Sequence, residues 1–345
     1  MPNPSLSRDL LARPAAQSVR LIAQGYLDAA TAAARRMDDA EDAEALHDFR
    51  VAVRRLRTAI RAYRRELQDS VRPKLYRRLG EIADETNRIR DADVALAWLR
   101  PLRSALSVRE RVGLRWLIAR IDARRTMRIE HDFAEARRAF RSAEHRLQKG
   151  LTIDDAGSDR PFAVVARGTV LAHAQNLDQI LAAVRAPDGP EVHQARIAAK
   201  RLRYLLEPLT EAIPATAGVV ARLRTLQNRL GDLHDALELE RDVRAGVESI
   251  GAERAIRLFD AAISGRATPA RAARDLKPGL VAVARRLRGR RTSLFAELRT
   301  NGLKTAGTWR RELETALGPT VGSAPAPIPI PHSLSRRHTR RVRRG

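Results

Sequence analysis

The chain contains no cysteine among its 345 residues, which excludes disulfide bonds, thiolate metal sites and cysteine nucleophiles. Aromatic residues make up only 4% of the sequence, so few side chains are available to stack on the bases of single-stranded nucleic acid. No apolar run approaches the ~20 residues of a membrane-spanning helix. The amino-terminal stretch also lacks the apolar segment of a secretory signal. The sequence therefore predicts a cytoplasmic protein without a membrane partner.

Signals for β-strands are scarce as well, because alanine, leucine, arginine and glutamate dominate and runs of β-branched residues are missing. Apolar positions recur at helical spacing on both sides of a Gly-, Asp- and Pro-containing break, which predicts an all-α protein. The predicted helical runs are 19–37, 46–67, 107–149, 162–186, 190–212, 216–230, 232–250 and 279–317.

This pattern divides the chain into four parts: an N-terminal segment (1–14), a helical body (15–317), a linker inside that body (150–160) and a tail (318–345). The linker separates halves at about 15–149 and 161–317. The tail is rich in proline and arginine and has no acidic residue. Its composition predicts disorder.

Charge of one sign is in excess, with 65 Lys and Arg against 41 Asp and Glu, for a net charge of +24. The tail carries six arginines, so the rest of the chain keeps a charge of +18. An imbalance of this size indicates a polyanionic partner.

The body contains an internal repeat. The segment "ALHDFRVAVRRLRTAIRAY" (45–63) matches "EVHQARIAAKRLRYLLEPL" (191–209) at an offset of 146 residues, and "TNRIRDADVALAWL" (86–99) matches "QNRLGDLHDALELE" (227–240). Two copies of one helical unit predict two helical bundles related by a pseudo-twofold axis.

In the first copy, one basic row falls within an arc of about 80° on a helical wheel. It comprises His47, Arg50, Arg54, Arg57, Arg61 and Arg65, and at ~1.5 Å per residue it spans about 27 Å. The second copy repeats the row with His193, Arg196, Lys200 and Arg203, and Glu207 stands where the first copy has Arg61.

Without an anionic partner, such rows lower the stability of the helices that carry them, because like charges at i,i+4 destabilise a helix by ~0.2–0.5 kcal/mol per pair. Two interpretations remain open. Carboxylates from neighbouring helices neutralise the rows, or the rows form a surface that binds an extended anion.

The motifs "LHDFRVAVRRLR" and "VHQARIAAKRLRYLLE", each followed by "RDAD" or "LGDLHDA", resemble the CHAD family, the conserved-histidine α-helical domain. The resemblance covers roughly residues 15–300. It implies long antiparallel helices around a basic central cleft that binds inorganic polyphosphate. By that likeness, the contacts carry over to His47, Arg50, Arg54, Arg57, His193, Arg196, Lys200 and Arg203.

Other residues relate to this pattern less directly. Arg61 is included from the helical wheel alone. Arg55 and Arg201 match the motif but fall outside the arc, where they contact the ligand less directly or pair with carboxylates. Ala195 and His234 depart from the family pattern, and we expect neither of them to touch the basic rows.

Aspartates in the second repeated segment are expected to act as N-caps or first-turn residues of helices, although a divalent cation bridging carboxylates to phosphate is an alternative. These residues are Asp91, Asp93, Asp232 and Asp235. There is no Gly-rich phosphate loop, no HExxH and no GxSxG motif. The alternating E-x-E-x-K strand of the CYTH triphosphatase domains that occur fused to CHAD modules is also missing. We therefore expect a protein without enzymatic activity, cofactor or metal site.

The leading hypothesis is binding of long-chain inorganic polyphosphate, with recruitment to polyphosphate granules. One alternative is a nucleic-acid-binding protein that uses its basic body and arginine-rich tail, since duplex binding through phosphates needs no base-stacking surface. A polyphosphate-metabolising enzyme is the third hypothesis, and it would require acidic metal ligands in the cleft.

Overall fold

A computed structural model describes residues 8–39, 42–67, 70–152, 160–264 and 275–318. The predicted disordered tail from residue 319 onward, residues 1–7 and most of the predicted linker lie outside these ranges. The described residues contain ten α-helices and no β-strand, which confirms the all-α prediction. The helices are α1 (Arg8–Ala12), α2 (Ala15–Arg36), α3 (Ala43–Ala62), α4 (Pro73–Leu99), α5 (Val108–Gly150), α6 (Phe162–Ala183), α7 (Pro190–Leu206), α8 (Ala217–Ser264), α9 (Lys277–Glu297) and α10 (Trp309–Leu317).

Several predicted helical runs differ from the structure. None of them corresponds to α4, the run predicted to end at residue 212 ends with α7 at Leu206, and α8 continues past residue 250 to Ser264. Helix α8 runs without interruption through Gly231, where the sequence predicted a break. Glycine costs a helix about 1 kcal/mol relative to alanine, and burial of Leu230 and Leu233 beside it offsets that cost. The predicted run 279–317 is divided by a π-helical turn, Leu298–Gly302, between α9 and α10.

Side-chain caps fix where two of the helices begin. The Asp42 carboxylate accepts hydrogen bonds from the backbone N–H groups of Glu44 and Ala45 at the start of α3. Ser107 and Glu110 form a reciprocal capping box at the start of α5. These caps satisfy backbone donors that have no partner within the helix.

The helices pack around two hydrophobic cores. The larger one joins α2, α3, α6 and α7 with the carboxyl-terminal part of α5, where the Phe49 and Phe140 rings meet edge to face at 4.9 Å. The smaller one joins the carboxyl-terminal part of α4 with α5, α8 and α9. Both cores take side chains from each sequence half, so neither half has a core of its own.

The two halves also meet through the backbone at their first long helices. Ala15 N–H donates to the Arg160 carbonyl and Phe162 N–H donates to the Arg13 carbonyl, both at 2.9 Å. These bonds form an isolated antiparallel bridge between Pro14 and Pro161. Near the middle of the molecule, α3 packs on α4 and α7, and α7 packs on α8. These four helices position the candidate site.

Candidate functional site

A cavity of about 970 Å³ lies between α3, α4, α7 and α8, and His173 of α6 also contributes to its wall. We call it the basic cavity. Both basic rows face it. Every side chain that the sequence predicted to bind polyphosphate lines it, namely His47, Arg50, Arg54, Arg55, Arg57, Arg61, His193, Arg196, Lys200, Arg201 and Arg203.

The first row is shorter than the sequence predicted. Helix α3 ends at Ala62 with Tyr63 as its C-cap, and Arg65 is exposed beyond that end. Arg65 does not line the basic cavity, because the helical geometry that would align it with the row stops three residues earlier. At ~1.5 Å per residue, the row from His47 to Arg61 spans about 21 Å.

The charge of the cavity wall is unbalanced. Eleven arginine and lysine side chains line it against five aspartates, together with four histidines. Of the two interpretations left open by the sequence, neutralisation by neighbouring carboxylates therefore holds for only part of the wall.

That part centres on Glu207, whose buried carboxylate pairs with Arg55 at 2.8 Å and with Arg203 at 3.1 Å. Glu207 thus neutralises one residue of each sequence half. Arg55 matches the expectation of carboxylate pairing. Arg201 has no ion pair within the described residues, and its pKa is lowered to about 10, chiefly by burial and then by Arg61.

Neutral groups hold the cations of the first row. Arg50 donates to Asn87 Oδ1 at 2.8 Å, and Arg54 donates to the same oxygen. The Arg57 guanidinium lies 5.3 Å from the centre of the Tyr76 ring and crosses Gly80 so closely that a Cβ there would be 2.9 Å from its Nη2. Asn87 and Gly80 thus orient cations without neutralising them.

Arg203 of the second row is held by Glu207, but the two cations that precede it in that row are held less firmly. Within the described part of the chain, no hydrogen bond or ion pair joins the side chains of Arg196 or Lys200 to another residue. The Nε atoms of Arg50, Arg57, Arg196 and Arg203 are buried without a hydrogen-bond partner. Buried unpartnered donors cost about 1–3 kcal/mol each, so these arginines carry an electrostatic cost that acceptor oxygens within reach would lower.

Burial among like charges shifts the pKa values of this row. The pKa of Lys200 falls to about 6, chiefly because burial disfavours the ammonium and then because Arg196 and Arg54 repel it. Burial likewise lowers the pKa of Arg196, which the carboxylate of Asp235 partly opposes. A bound anion would favour the charged form of both side chains.

Two histidines meet at one side of the cavity. The ring centres of His193 and His234 are 5.4 Å apart, and burial lowers the pKa of both, that of His234 to about 3 with further contributions from Arg196 and His193. The expectation that His234 would not touch the basic rows is wrong. Because α8 continues through Gly231, Gln227, Gly231 and His234 share one helical face, and all three line the cavity.

The aspartates of the second repeated segment are not helix caps, contrary to the prediction. Asp91 and Asp93 lie inside α4, and Asp232 and Asp235 lie inside α8. Asp91, Asp232 and Asp235 line the cavity, while Asp93 pairs with Arg125. Burial, followed by repulsion from Asp235, raises the pKa of Asp91. Among the described residues, no group of three or more His, Asp or Glu side chains is arranged to hold a metal ion.

Sequence reasoning missed several wall residues outside the rows: Asn87, Arg90, His173 and Arg224. Asn87 and Arg90 belong to the repeated segment 86–99, so the duplication itself marked this part of the site. His173 and Arg224 lie in helical runs without a comparable signal.

No helix in the described ranges is both long enough and apolar enough to span a lipid bilayer. This finding agrees with the lack of long apolar runs in the sequence.

Comparison with solved structures identifies two similar folds. The CHAD domain from the plant Ricinus communis superposes with a TM-score of 0.57 at 22% identity, covering 92% of this chain and 94% of that one. PptA from Streptomyces chartreusis superposes with a TM-score of 0.61 at 16% identity, covering 84% of this chain and 99% of that one. None of the curated protein sequences matches the chain. The CHAD domain model matches residues 21–244, most of the chain, and this protein therefore belongs to the CHAD family.

Proposed function

We propose that this protein binds long-chain inorganic polyphosphate in the basic cavity. The observation that carries the proposal is the convergence of both basic rows on one cavity whose eleven cations face only five aspartates. Hydrogen bonds between charged groups contribute about 1.5–3 kcal/mol each. Several of them along one polymer give tight binding that weakens with added salt.

The dimensions favour a polymer over a single phosphate. One phosphate can engage two or three guanidinium groups, whereas the first row alone extends over about 21 Å and the cavity volume is about 970 Å³. Only an extended anion can contact cations of both rows along that length.

The basic cavity is less suited to nucleic-acid bases. Its two tyrosines, Tyr76 and Tyr204, lie under guanidinium groups of Arg57 and Arg203 at 5.3 and 4.8 Å. These rings are already covered, so they are poor platforms for base stacking. Duplex nucleic acid bound through its phosphates remains the competing ligand in the test below.

The central experiment is a titration of the full chain with long-chain polyphosphate, duplex DNA, single-stranded RNA and orthophosphate at two salt concentrations. We expect polyphosphate to bind tightest and orthophosphate to bind weakly. Equal affinity for DNA and polyphosphate would contradict this proposal and favour nucleic acid as the ligand.

A pair of variants separates the cavity from net charge. The cavity variant replaces Arg50, Arg54, Arg196 and Lys200 with alanine, and we expect it to abolish binding. The control variant removes four charges elsewhere, at the exposed Arg115, Arg254, Arg288 and Arg299, and should keep affinity within about threefold of the original chain. Equal losses in both variants would show that only the total charge matters.

We further propose that binding occurs without turnover and recruits the protein to polyphosphate granules. Incubation with long-chain polyphosphate should leave its length unchanged on a gel, whereas shortening would indicate an enzyme. A fluorescent fusion should co-localise with granules, and the cavity variant should not.

A further inference from the structure

A second concentration of positive charge lies outside the basic cavity. The first two turns of α4 and the last turns of α5 border a groove of about 960 Å³ with a floor that includes Leu75, Ala139 and Ala143. We call it the α4–α5 groove. Six cations line it, namely Arg72, Lys74, Arg77, Arg78, Arg146 and Lys149, together with one carboxylate, Glu81, among the described residues.

Few of these cations are neutralised. Arg78 pairs with Glu81 at 2.9 Å and approaches Glu135 at 4.0 Å. Arg146 donates to the hydroxyl of Ser142 at 3.1 Å. Within the described ranges, the side chains of the other four, Arg72, Lys74, Arg77 and Lys149, have no ion pair or hydrogen bond, and all four are exposed.

The cations at the start of α4 also stand at the less favourable end of that helix. A helix N-terminus carries partial positive charge, which favours acidic residues there. The first turn of α4 has no acidic residue, and its N-cap Arg72 provides no side-chain cap. A phosphate in the groove would offset both the mutual repulsion of the cations and their conflict with the helix dipole.

Helix α4 separates the groove from the basic cavity. At 100° per residue, Lys74, Arg78 and Glu81 share one face of α4, and the cavity residues Tyr76, Ala83 and Asn87 share nearly the opposite face. Tyr76 and Lys74 are only two positions apart, so the cavity and the groove both reach the amino-terminal end of α4. A helix is about 10 Å across, so a polymer leaving the cavity needs only a short extension to reach the groove.

We propose that the α4–α5 groove is a second polyphosphate site, occupied by the part of a long chain that leaves the basic cavity around the start of α4. This inference rests on the proposed function and extends it, because it predicts how affinity depends on chain length. Short chains fill the cavity alone. Long chains bind both sites at once, and the second contact is then intramolecular and adds affinity by raising the local concentration.

The test uses the full chain, two polyphosphate lengths and three proteins. The lengths are about ten phosphates, which the ~21 Å first row can match, and several hundred. The proteins are the original chain, a groove variant with Arg72, Lys74, Arg77 and Lys149 changed to alanine, and the control variant at Arg115, Arg254, Arg288 and Arg299. Both variants lose four positive charges, so general electrostatic attraction falls equally.

We expect the groove variant to bind the long chain about tenfold more weakly, with a shallower dependence of affinity on salt, and to bind the short chain like the control. Equal long-chain affinity in the groove and control variants would overturn the inference, and so would an equal loss for both lengths. In those cases, polyphosphate binding by the original chain would still support the basic cavity as a binding site. Absence of binding by the original chain would instead overturn the proposed function, and the groove inference with it.

The milder pair Arg77→Gln and Lys149→Gln provides a second variant for the case in which the fourfold substitution alters folding. It should show a smaller long-chain loss, about threefold, at an unchanged melting temperature. No change for the long chain in this well-folded variant would also count against the groove.

Discussion

The two basic rows have similar sequences but different surroundings. In the α3 row, Arg50 and Arg54 share the amide oxygen of Asn87. In the α7 row, Arg196 and Lys200 have no hydrogen-bond partner within the described residues, and burial lowers their pKa values. Burial, followed by repulsion from Arg54, also lowers the pKa of Arg50 in the α3 row, to about 9. Both rows therefore carry a desolvation cost that a ligand can relieve, and the α3 row differs because Asn87 orients its arginines before any ligand arrives. The first row presents guanidinium groups in a fixed orientation. The second row contains Lys200, whose lowered pKa makes binding depend on pH.

The largest effects should come from removing one pair of cations from each row. Both Arg50→Ala/Arg54→Ala and Arg196→Ala/Lys200→Ala should weaken polyphosphate binding by about 100-fold, since two charge-assisted hydrogen bonds of ~1.5 kcal/mol are lost in each. Melting temperature should distinguish them. It should rise by about 2–4 °C only in the second pair, because the relief of burying like charges is offset in the first pair by the loss of the hydrogen bonds to Asn87. A rise in both would show that Asn87 does not stabilise its arginines.

The next effect is the pH dependence of affinity. Burial, followed by repulsion from Arg196 and Arg54, lowers the pKa of Lys200 to about 6, and a bound polyanion raises it. Binding therefore takes up a proton above pH 6, and affinity falls as pH rises. We expect about a tenfold weaker complex at pH 8 than at pH 6 in calorimetric titrations. Lys200→Arg should flatten this profile, because arginine stays charged. An unchanged slope in that variant would assign the proton to another group.

A smaller effect should follow from removing the amide that orients the first row. Asn87→Ala frees Arg50 and Arg54 from their shared acceptor, so more side-chain entropy is lost on binding. We expect about a fivefold loss of affinity. Asn228 of the second half is the matched control, since it lines the same cavity but is exposed and its side chain has no hydrogen bond within the described chain. Asn228→Ala should change affinity less than twofold, and equal effects would refute the anchoring role.

The smallest change in affinity is expected at the residue that links the rows. Glu207→Gln removes the charge that pairs Arg55 with Arg203. Affinity should rise about twofold because two guanidinium groups become available. The melting temperature should fall by about 5 °C, because loss of one partner leaves buried charges uncompensated. A more stable variant would contradict this account of Glu207.

Much of the site was predictable because duplication marked it twice. The pairs of His47 with His193 and Arg50 with Arg196 identified two rows, and helical periodicity placed their residues on a common face. The structure puts all eleven residues of the predicted binding site on one cavity. The sequence could not supply the distances between helices, so it gave no indication that Glu207 reaches Arg55 across 152 positions of the chain.

The errors also have physical causes. The sequence predicts Asp91 and Asp232 as N-cap or first-turn residues because an aspartate before an apolar-periodic segment is typical of a helix start. Packing of buried apolar side chains, Ile89 and Ala92 in α4 and Leu230 and Leu233 in α8, carries both helices through these points instead, since tertiary burial outweighs local preference. The same continuity turns His234 toward His193. The prediction for Arg65 is wrong for the opposite reason. The helical spacing of basic residues continues to Arg65 in the sequence, but helix α3 ends at Ala62.

The bridge between Pro14 and Pro161 has a consequence for biosynthesis. The start of the first long helix is hydrogen-bonded to backbone that is synthesised about 150 residues later. The Tyr63 ring also packs against Phe162 of that later segment, with ring centres 5.6 Å apart. At ~5–20 residues per second, the nascent chain waits many seconds for these partners. During that interval its arginine-rich α3 lies near the ribosome, itself a large polyanion, while Tyr63 and the side of α3 that packs on α7 still lack their partners.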